Sequence, residues 1–165
     1  MFSIAAPTTL QGSGLAGDRP TIGVGVSFLT DGEETGTGFS VDISKALVSS
    51  RRMSIGGIGD FGWHHFDGYT SMSFMGGARV AATGNARFVP FGQFMIGPVR
   101  FSTSFCSGEE CSETDLAFAP GGGVDARITD RMNLRAQIDF FIIRFGDETE
   151  HATRFTCGVS MPIGK

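Results

Sequence analysis

The chain has 165 residues and a formal net charge of −4, enough for one domain or one small closed barrel. Charged residues make up only 18%, below the roughly 25% of a typical soluble domain, so we expect part of the surface to lie out of water. The acidic balance without a basic aromatic patch argues against nucleic acid as a partner, and the lack of about 18 consecutive apolar residues excludes a transmembrane helix.

Residues 1–20, MFSIAAPTTLQGSGLAGDRP, precede the first strand-like pattern. They lack the basic segment and apolar core of a secretory signal, so we expect a protein that is not exported or a mature form. Terminal segments rich in Gly, Pro and Ser are usually disordered unless something holds them. We therefore predict an N-terminal extended tail, in which Phe2, Ile4 and Leu10 could contact a neighbouring subunit or enter a barrel mouth. The alternative is that the tail folds back on its own barrel.

Residues 21–165 are predicted to form an eight-stranded antiparallel up-and-down β-barrel. Alternation with a period of two, bounded by turn signals, predicts strands over 21–29, 37–47, 53–66, 69–81, 87–105, 115–129, 133–145 and 153–163. Most reach the roughly 9 to 11 residues that a tilted strand needs to cross a bilayer. Pro90, Pro98 and a change of parity between Arg87 and Arg100 predict a bulge in the fifth strand.

The two faces of these strands differ in kind. One face is apolar almost throughout, whereas the other holds glycine, serine and a few charges. Because interior glycine weakens a water-exposed strand, the small polar face fits a narrow lumen better than a surface, which predicts a polar lumen and an apolar exterior. Buried charges need partners. We therefore predict a lumen charge network of Asp42, Asp60, Arg79, Asp125, Arg127, Arg135 and Asp139.

The segment from Gly121 to Phe141, GGGVDARITDRMNLRAQIDFF, reads as one hairpin of this barrel. Opposed residues of an antiparallel pair share a face, so Arg127 and Arg135 both point inward only if the loop has an odd number of residues. A three-residue loop would place these two arginines opposite each other. A five-residue loop would instead pair Asp125 with Arg135, and the sequence leaves both open.

Cys106 and Cys111 lie close together in the acidic, glycine-containing segment CSGEEC. Their spacing suits a short exposed loop and differs from the CxxC pattern of redox and zinc sites. We predict a disulfide between them, which would place this end of the molecule in an oxidising compartment.

Charge is divided between the two ends of the predicted barrel. Alternate connections of an up-and-down barrel lie at the same end. The connections 30–36, 67–68, 106–115 and 146–152 hold eleven of the seventeen acidic residues and none of the thirteen Lys or Arg residues. The other turns carry mainly Lys and Arg, so one rim is predicted to be acidic and the other basic.

Three histidines lie towards the acidic rim, and we expect no metal site among them. His64 and His65 are adjacent in a strand and so point to opposite faces, which prevents joint chelation, and His151 lies in another loop. We expect His64 to point inward and hydrogen-bond Asp60.

The meander over residues 21–165, the GGGVDARITDRMNLRAQIDFFIIRFG hairpin and the closing strand TRFTCGVSMPIG are similar to those of small bacterial outer-membrane β-barrels of the OmpA/OmpX type. This resemblance implies short periplasmic turns, longer extracellular loops and a non-enzymatic role in adhesion or envelope structure. It places the protein in the bacterial outer membrane or at the cell surface, with membrane lipid as its partner and no cofactor.

Two alternatives remain open. The oppositely charged rims and the N-terminal tail would also suit an extracellular filament, a homopolymer of barrels stacked head to tail. A lipid-modifying or ligand-binding barrel would need a cavity, and we expect side chains to fill the lumen. The chain lacks GxSxG, HExxH and P-loop motifs, and it also lacks the His-x-Ser pair expected of a lipid A deacylase, so we expect no enzyme activity.

Overall fold

The structure is a computed structural model that describes residues 19–83, 87–103, 112–146 and 148–164. These residues form eight strands that close into one barrel in which each strand is antiparallel to both neighbours and β8 pairs with β1. The strands are β1 (Thr21–Thr30), β2 (Thr35–Ser49), β3 (Met53–His65), β4 (Tyr69–Ala82), β5 (Phe88–Thr103), β6 (Ser112–Thr129), β7 (Met132–Phe145) and β8 (Glu148–Pro162). No helix within the described ranges is long and apolar enough to cross a membrane.

The predicted eight-strand meander is confirmed. In β1, Val24, Val26 and Phe28 are apolar and exposed, with Val26 56% exposed, whereas Ser27 is fully buried. The same division continues across the closing pair, where Val24 lies opposite Val159 on the outer wall. The apolar side chains of the wall therefore face away from the barrel axis.

The predicted bulge in the fifth strand is wrong. Burial alternates regularly along β5 through Pro90 and Pro98, and both prolines face outward. The pairing of β4 with β5 skips the position opposite Pro98, which has no N–H to donate, but the register on either side is unchanged. Bulges occur instead at Leu47 in β2 and at Ile128 in β6.

The bulge at Ile128 also decides the register of the β6–β7 hairpin. Asp125 lies opposite Arg135, and Arg127 lies opposite Asn133. Of the two predicted loops, the five-residue alternative therefore describes the pairing. One residue of that loop is the bulge, and Asp130 and Arg131 form the tight turn.

Glycines on the lumenal face allow the neighbouring backbone to approach closely. A Cβ on Gly38 would collide with the backbone carbonyl of Trp63, and one on Gly158 would collide with that of Val24. On the outer wall, a Cβ on Gly57 would find its nearest neighbour 4.0 Å away. The glycine-rich face is thus the crowded, concave side of a small barrel.

The interior has two parts along the axis. A polar belt crosses the middle of the lumen and consists of Asp42, Asp60, Arg79, Gln93, Asp125, Arg135, Gln137, Asp139 and Arg154. Towards the end that carries the β1–β2, β3–β4 and β7–β8 connections, which we call the loop end, the belt gives way to an apolar cluster that includes Met95, Val99 and Phe141. The expected polar lumen is therefore polar over only part of its length.

Candidate functional site

Arg154 of β8 is the most enclosed charge of the polar belt. Its Nη1 donates to Asp60 Oδ1 at 2.8 Å, and its Nη2 donates to Asp139 Oδ2 at 2.9 Å. Arg154 and Asp139 both have 0% exposure. Because Asp139 lies directly opposite Arg154 in the β7–β8 ladder, the backbone register itself brings the two charges together.

Arg135 of β7 organises the second part of the belt. It makes a two-pronged contact with Asp125, from Nε to Oδ1 at 2.7 Å and from Nη2 to Oδ2 at 2.8 Å. Its remaining Nη1 donates to Asp42 Oδ1 at 2.7 Å, and Asp42 also accepts from Arg79 Nη1 at 3.1 Å. Such charge-assisted pairs are the strong form of the hydrogen bond and offset part of the cost of burial.

Gln93 joins the two parts into one network. Its Oε1 accepts from Arg79 Nε at 2.9 Å, and its Nε2 donates to Asp139 Oδ1 at 2.7 Å. Gln137 adds a further hydrogen bond to the same aspartate. Each of the four belt aspartates contacts at least one of the three belt arginines, so four carboxylates against three guanidinium groups leave a formal charge of −1.

Two phenylalanines support the arginines from within the lumen. The guanidinium carbons of Arg79 and Arg135 lie 4.4 Å and 5.1 Å from the centre of the Phe91 ring. Arg154 lies 5.2 Å from the centre of Phe141. These rings add cation–π contacts and restrict the arginine rotamers.

Six of the seven predicted network residues lie in the belt. Asp42 and Asp125 contact the predicted arginines directly. Asp60 and Asp139 instead contact Arg154, and Gln93 links Asp139 to Arg79. Arg127 is on the lumenal side of β6 but is half-buried nearer the end of the strand. The prediction missed Arg154, Gln93 and Gln137. A signal for Arg154 was present, because it shares its parity with Thr156 and Ser160 in β8, both of which are buried.

His64 points into the lumen, as expected, but its partner is not Asp60. Its Nε2 lies 2.8 Å from Ser27 Oγ, and both residues are buried. Among the described residues, no group hydrogen-bonds to His64 Nδ1. His65 faces outward and stacks on Trp63, and His151 is exposed at the loop end.

Two cavities lie at opposite ends of the belt, which corrects the expectation that side chains fill the lumen. The larger, of about 210 Å³, opens at the loop end, and its lining includes Leu29, Phe66 and Tyr69. The smaller, of about 50 Å³, lies on the other side of the belt and reaches Arg79 and Arg135. The belt separates the two cavities.

Two predicted sites fall on residues that the structure does not describe. The predicted disulfide between Cys106 and Cys111 lies outside the described residues, and so do Phe2, Ile4 and Leu10 of the predicted assembly tail. Both remain predictions. The third cysteine, Cys157, is exposed on the outer wall with a free thiol.

No protein-family model and no curated protein sequence matches the chain. Similar solved structures exist. Neisserial surface protein A has a TM-score of 0.65 at 14% identity, over 87% of this chain and 96% of that one. The attachment invasion locus protein Ail of Yersinia pestis has a TM-score of 0.56 at 16% identity, over 88% of this chain and 97% of that one.

The outer membrane enzyme PagL gives a TM-score of 0.57 at 16% identity, over 87% of this chain and 99% of that one. At identities this low, the similarity shows a common fold, and the function of these proteins does not carry over to this chain. The predicted resemblance is confirmed at that level. The chain closes in eight antiparallel strands behind an apolar wall, and it therefore has the fold of the small bacterial outer-membrane β-barrels.

Proposed function

We propose that this protein is a non-enzymatic, non-conducting barrel of the bacterial outer membrane with an adhesive or structural role at the cell surface. The observation that carries the proposal is the polar belt. Arg154 reaches from β8 to Asp60 on β3 while paired with Asp139, and neither Arg154 nor Asp139 has any exposed surface. Gln93 ties Asp139 to the rest of the network. A lumen blocked in this way does not suit solute transport. The proposed role therefore depends on the outer wall and on the exposed loop end.

The outer wall supports lipid as the surrounding partner. Large apolar side chains such as Phe74, Phe94 and Phe140 are about half exposed on it, at 54%, 51% and 50%. On β2 and β3, Phe39 and Trp63 stack with their ring centres 5.9 Å apart, which gives one side of the wall an aromatic patch. Aromatic side chains are enriched where a barrel meets the membrane–water interface.

The loop end supports a role in surface contact. β6 has 18 residues, which at roughly 3.3 Å per residue exceeds the span of a tilted strand across a bilayer of about 25 Å. Its first residues are Ser112, Glu113 and Thr114, and β8 likewise begins with the exposed residues Glu148 to His151. These polar strand ends extend the barrel beyond the lipid. The structurally similar Ail is named for attachment and invasion.

The arrangement of Ser27 and His64 supports a non-enzymatic role. The two side chains form a pair of the kind that activates a serine nucleophile, but Ser27 has 0% exposure and faces the lumen, away from lipid substrate. In the described ranges no carboxylate orients His64 through Nδ1. This burial would separate the pair from any substrate in the outer leaflet.

Electrical recording in planar lipid bilayers tests the blocked lumen. The full chain is expected to insert without forming stable conducting steps, and a double variant with Arg154→Ala and Gln93→Ala provides a comparison in which the belt is opened. A steady channel in the unaltered protein would overturn the proposal. Adhesion is tested by displaying the barrel on a non-adherent bacterium and counting the cells that attach. Attachment is expected to fall when Glu113 and Glu148, which lie outside the loop-end cavity, become lysines.

The filament remains a second candidate because the two ends differ in charge. The β1–β2 connection exposes Asp31, Glu33 and Glu34, whereas the β2–β3 connection at the opposite end exposes Arg51 and Arg52. Opposite rims of this kind suit a head-to-tail contact between copies. Sedimentation without detergent separates the two candidates, since ordered large particles favour the filament and a monomer that requires detergent favours the membrane barrel.

A further inference from the structure

The cavity at the loop end combines apolar depth with an acidic lip. Its inner wall is made by Leu29, Ile143 and Ala152, all buried. Its lip carries Asp31 and Glu150, both exposed. The cavity therefore runs from a charged, water-accessible opening to an apolar base.

Three aromatic rings line the part of the cavity made by the β3–β4 connection, β4 and β5. Phe66 and Tyr69 stack with centroids 4.3 Å apart and planes within 8° of each other. Phe101 lies next to them, with its ring centre 6.3 Å from that of Tyr69 and tilted by 53°. The stacked pair covers one face of each ring and Phe66 is buried, so Phe101 and the uncovered part of Tyr69 supply most of the aromatic surface that a ligand could contact.

The charge of the cavity is one-sided. Among the residues that the structure describes, its lining includes two carboxylates and one imidazole but neither lysine nor arginine. Asp31 is held in place because its Oδ1 accepts hydrogen bonds from the backbone amides of Glu33 and Glu34, at 3.0 Å and 2.9 Å. These amide contacts hold the pKa of Asp31 below its ordinary value of 3.8, so the lip keeps its negative charge at neutral pH.

We propose that this loop-end cavity binds a small organic cation, an ammonium group with apolar alkyl substituents. The aromatic rings and carboxylates attract the positive charge, and the apolar base accepts the alkyl part. A volume of about 210 Å³ lies below the usual range for drug-sized ligands, so the ligand is a small molecule or one side group of a larger one. An anion is disfavoured by the acidic lip, and a purely apolar ligand would gain no electrostatic attraction from its two carboxylates.

Choline is the probe for this site, and its neutral analogue with carbon in place of the quaternary nitrogen is the control. The full-length barrel is folded in a maltoside detergent or in nanodiscs of phosphatidylglycerol, because detergents and lipids with choline head groups would compete. Binding is followed by isothermal titration calorimetry and by shifts of methyl NMR signals. Choline is expected to bind at least about fivefold more tightly than the neutral analogue.

Substitutions place the site. Glu150→Gln and Phe101→Leu are each expected to weaken choline binding by about fivefold. Glu113→Gln removes an exposed charge at the start of β6, and Phe140→Leu removes a ring from the outer wall. Neither residue lines the cavity, so these variants should bind as the unaltered protein does. Folding of each variant is checked by its shift in electrophoretic mobility on heating.

Three results would overturn the proposal. One is equal binding of choline and its neutral analogue, and another is undiminished choline binding by both Glu150→Gln and Phe101→Leu. The third is the absence of saturable choline binding by the folded protein. None of these results bears on whether the barrel conducts or adheres, because the proposed function rests on the polar belt and the exposed strand ends.

Discussion

Arg154 and Asp139 face each other across the β7–β8 ladder, and the guanidinium Nη2 lies 2.9 Å from the carboxylate Oδ2 with neither residue exposed. The same arginine reaches Asp60 on the far side of the lumen. One side chain thus neutralises two carboxylates on different strands, which makes it a cross-link between β3, β7 and β8 without a covalent bond. The barrel is held together here by pairing across its interior as well as by its backbone ladder.

Replacement of Arg154 by methionine is expected to lower the free energy of unfolding by about 3 to 5 kcal/mol, because it leaves two buried carboxylates without their cation. Urea unfolding of the barrel in lipid vesicles, followed by Trp63 fluorescence, measures the change. Arg131→Met in the exposed β6–β7 turn is the matched control and should shift stability by no more than about 0.5 kcal/mol.

A combined variant tests the cause of that loss. Adding Asp60→Asn and Asp139→Asn to Arg154→Met removes the unpaired charges, so part of the lost stability should return. If the single and combined variants are equally unstable, the loss comes from packing around Arg154. If Arg154→Met is as stable as the unaltered protein, the ion pairs of Arg154 with Asp60 and Asp139 do not contribute to the stability of the barrel.

The sequence predicted the strand count and the inward orientation of Asp42, Asp60, Asp125 and Asp139, but it did not predict that Arg154 and Gln93 join them. Period-two alternation is strong when one face is apolar and the other is small, as in β1 and β3. The alternation in β8 is dominated by its apolar face, and Arg154 is the one arginine or lysine on the opposite face of that strand. The prediction therefore did not include it. Its role depends on Asp60, which is 94 positions away in the chain and is brought close only by barrel closure.

The fifth strand shows where the pattern fails. Val89, Phe91, Met95 and Val99 line the interior, while Phe94 and Ile96 are on the wall, so both faces are apolar and parity is hidden. The prolines were therefore interpreted as a bulge. The cavity at the loop end was missed for a related reason, because its rings come from β4, β5 and the β3–β4 connection, and local alternation does not show that they line a common space.

Gly158→Ala is expected to destabilise the barrel by about 1 to 3 kcal/mol through overpacking. Gly158 lies opposite Gly25 where β8 closes onto β1, and an added methyl group would meet the Val24 carbonyl oxygen and Gly25 Cα. Gly57→Ala is the control, since its methyl group would stand on the open wall and should change stability by no more than about 0.5 kcal/mol. Denaturant midpoints of the two variants provide the measurement, and equal effects would contradict the crowded interior.

Asp31 is expected to titrate below 3.8 in the folded barrel, because the Glu33 and Glu34 amides donate to its ionised form and lower its pKa. A depressed folded-state pKa means that the turn gains stability from the carboxylate at higher pH. This contribution is complete above the ordinary value and is lost as the pH falls through the folded-state value. The carboxyl carbon chemical shift of Asp31, recorded during an acid titration, gives the midpoint.

Two variants serve as controls for that titration. Asp31→Asn keeps an oxygen that can accept from the same amides, whereas Asp31→Ala removes it, so only the alanine should broaden or shift the Glu33 and Glu34 amide signals at neutral pH. An Asp31 midpoint at 3.8 or above would show that the amides do not stabilise the carboxylate.

Ile138→Arg tests the wall as a lipid-facing surface. Ile138 lies near the middle of β7 and is 40% exposed, opposite Phe155 on β8. An arginine there would place a charge near the bilayer centre, at a cost of about 2 to 4 kcal/mol, whereas Leu47→Arg close to the β2–β3 turn should cost about 0 to 1 kcal/mol. Reversible unfolding from phosphatidylcholine vesicles measures both. The difference in cost between the two positions decides the question. A wall exposed to water would tolerate both arginines equally. A wall covered by other copies of the chain would change its oligomeric state as well as its stability.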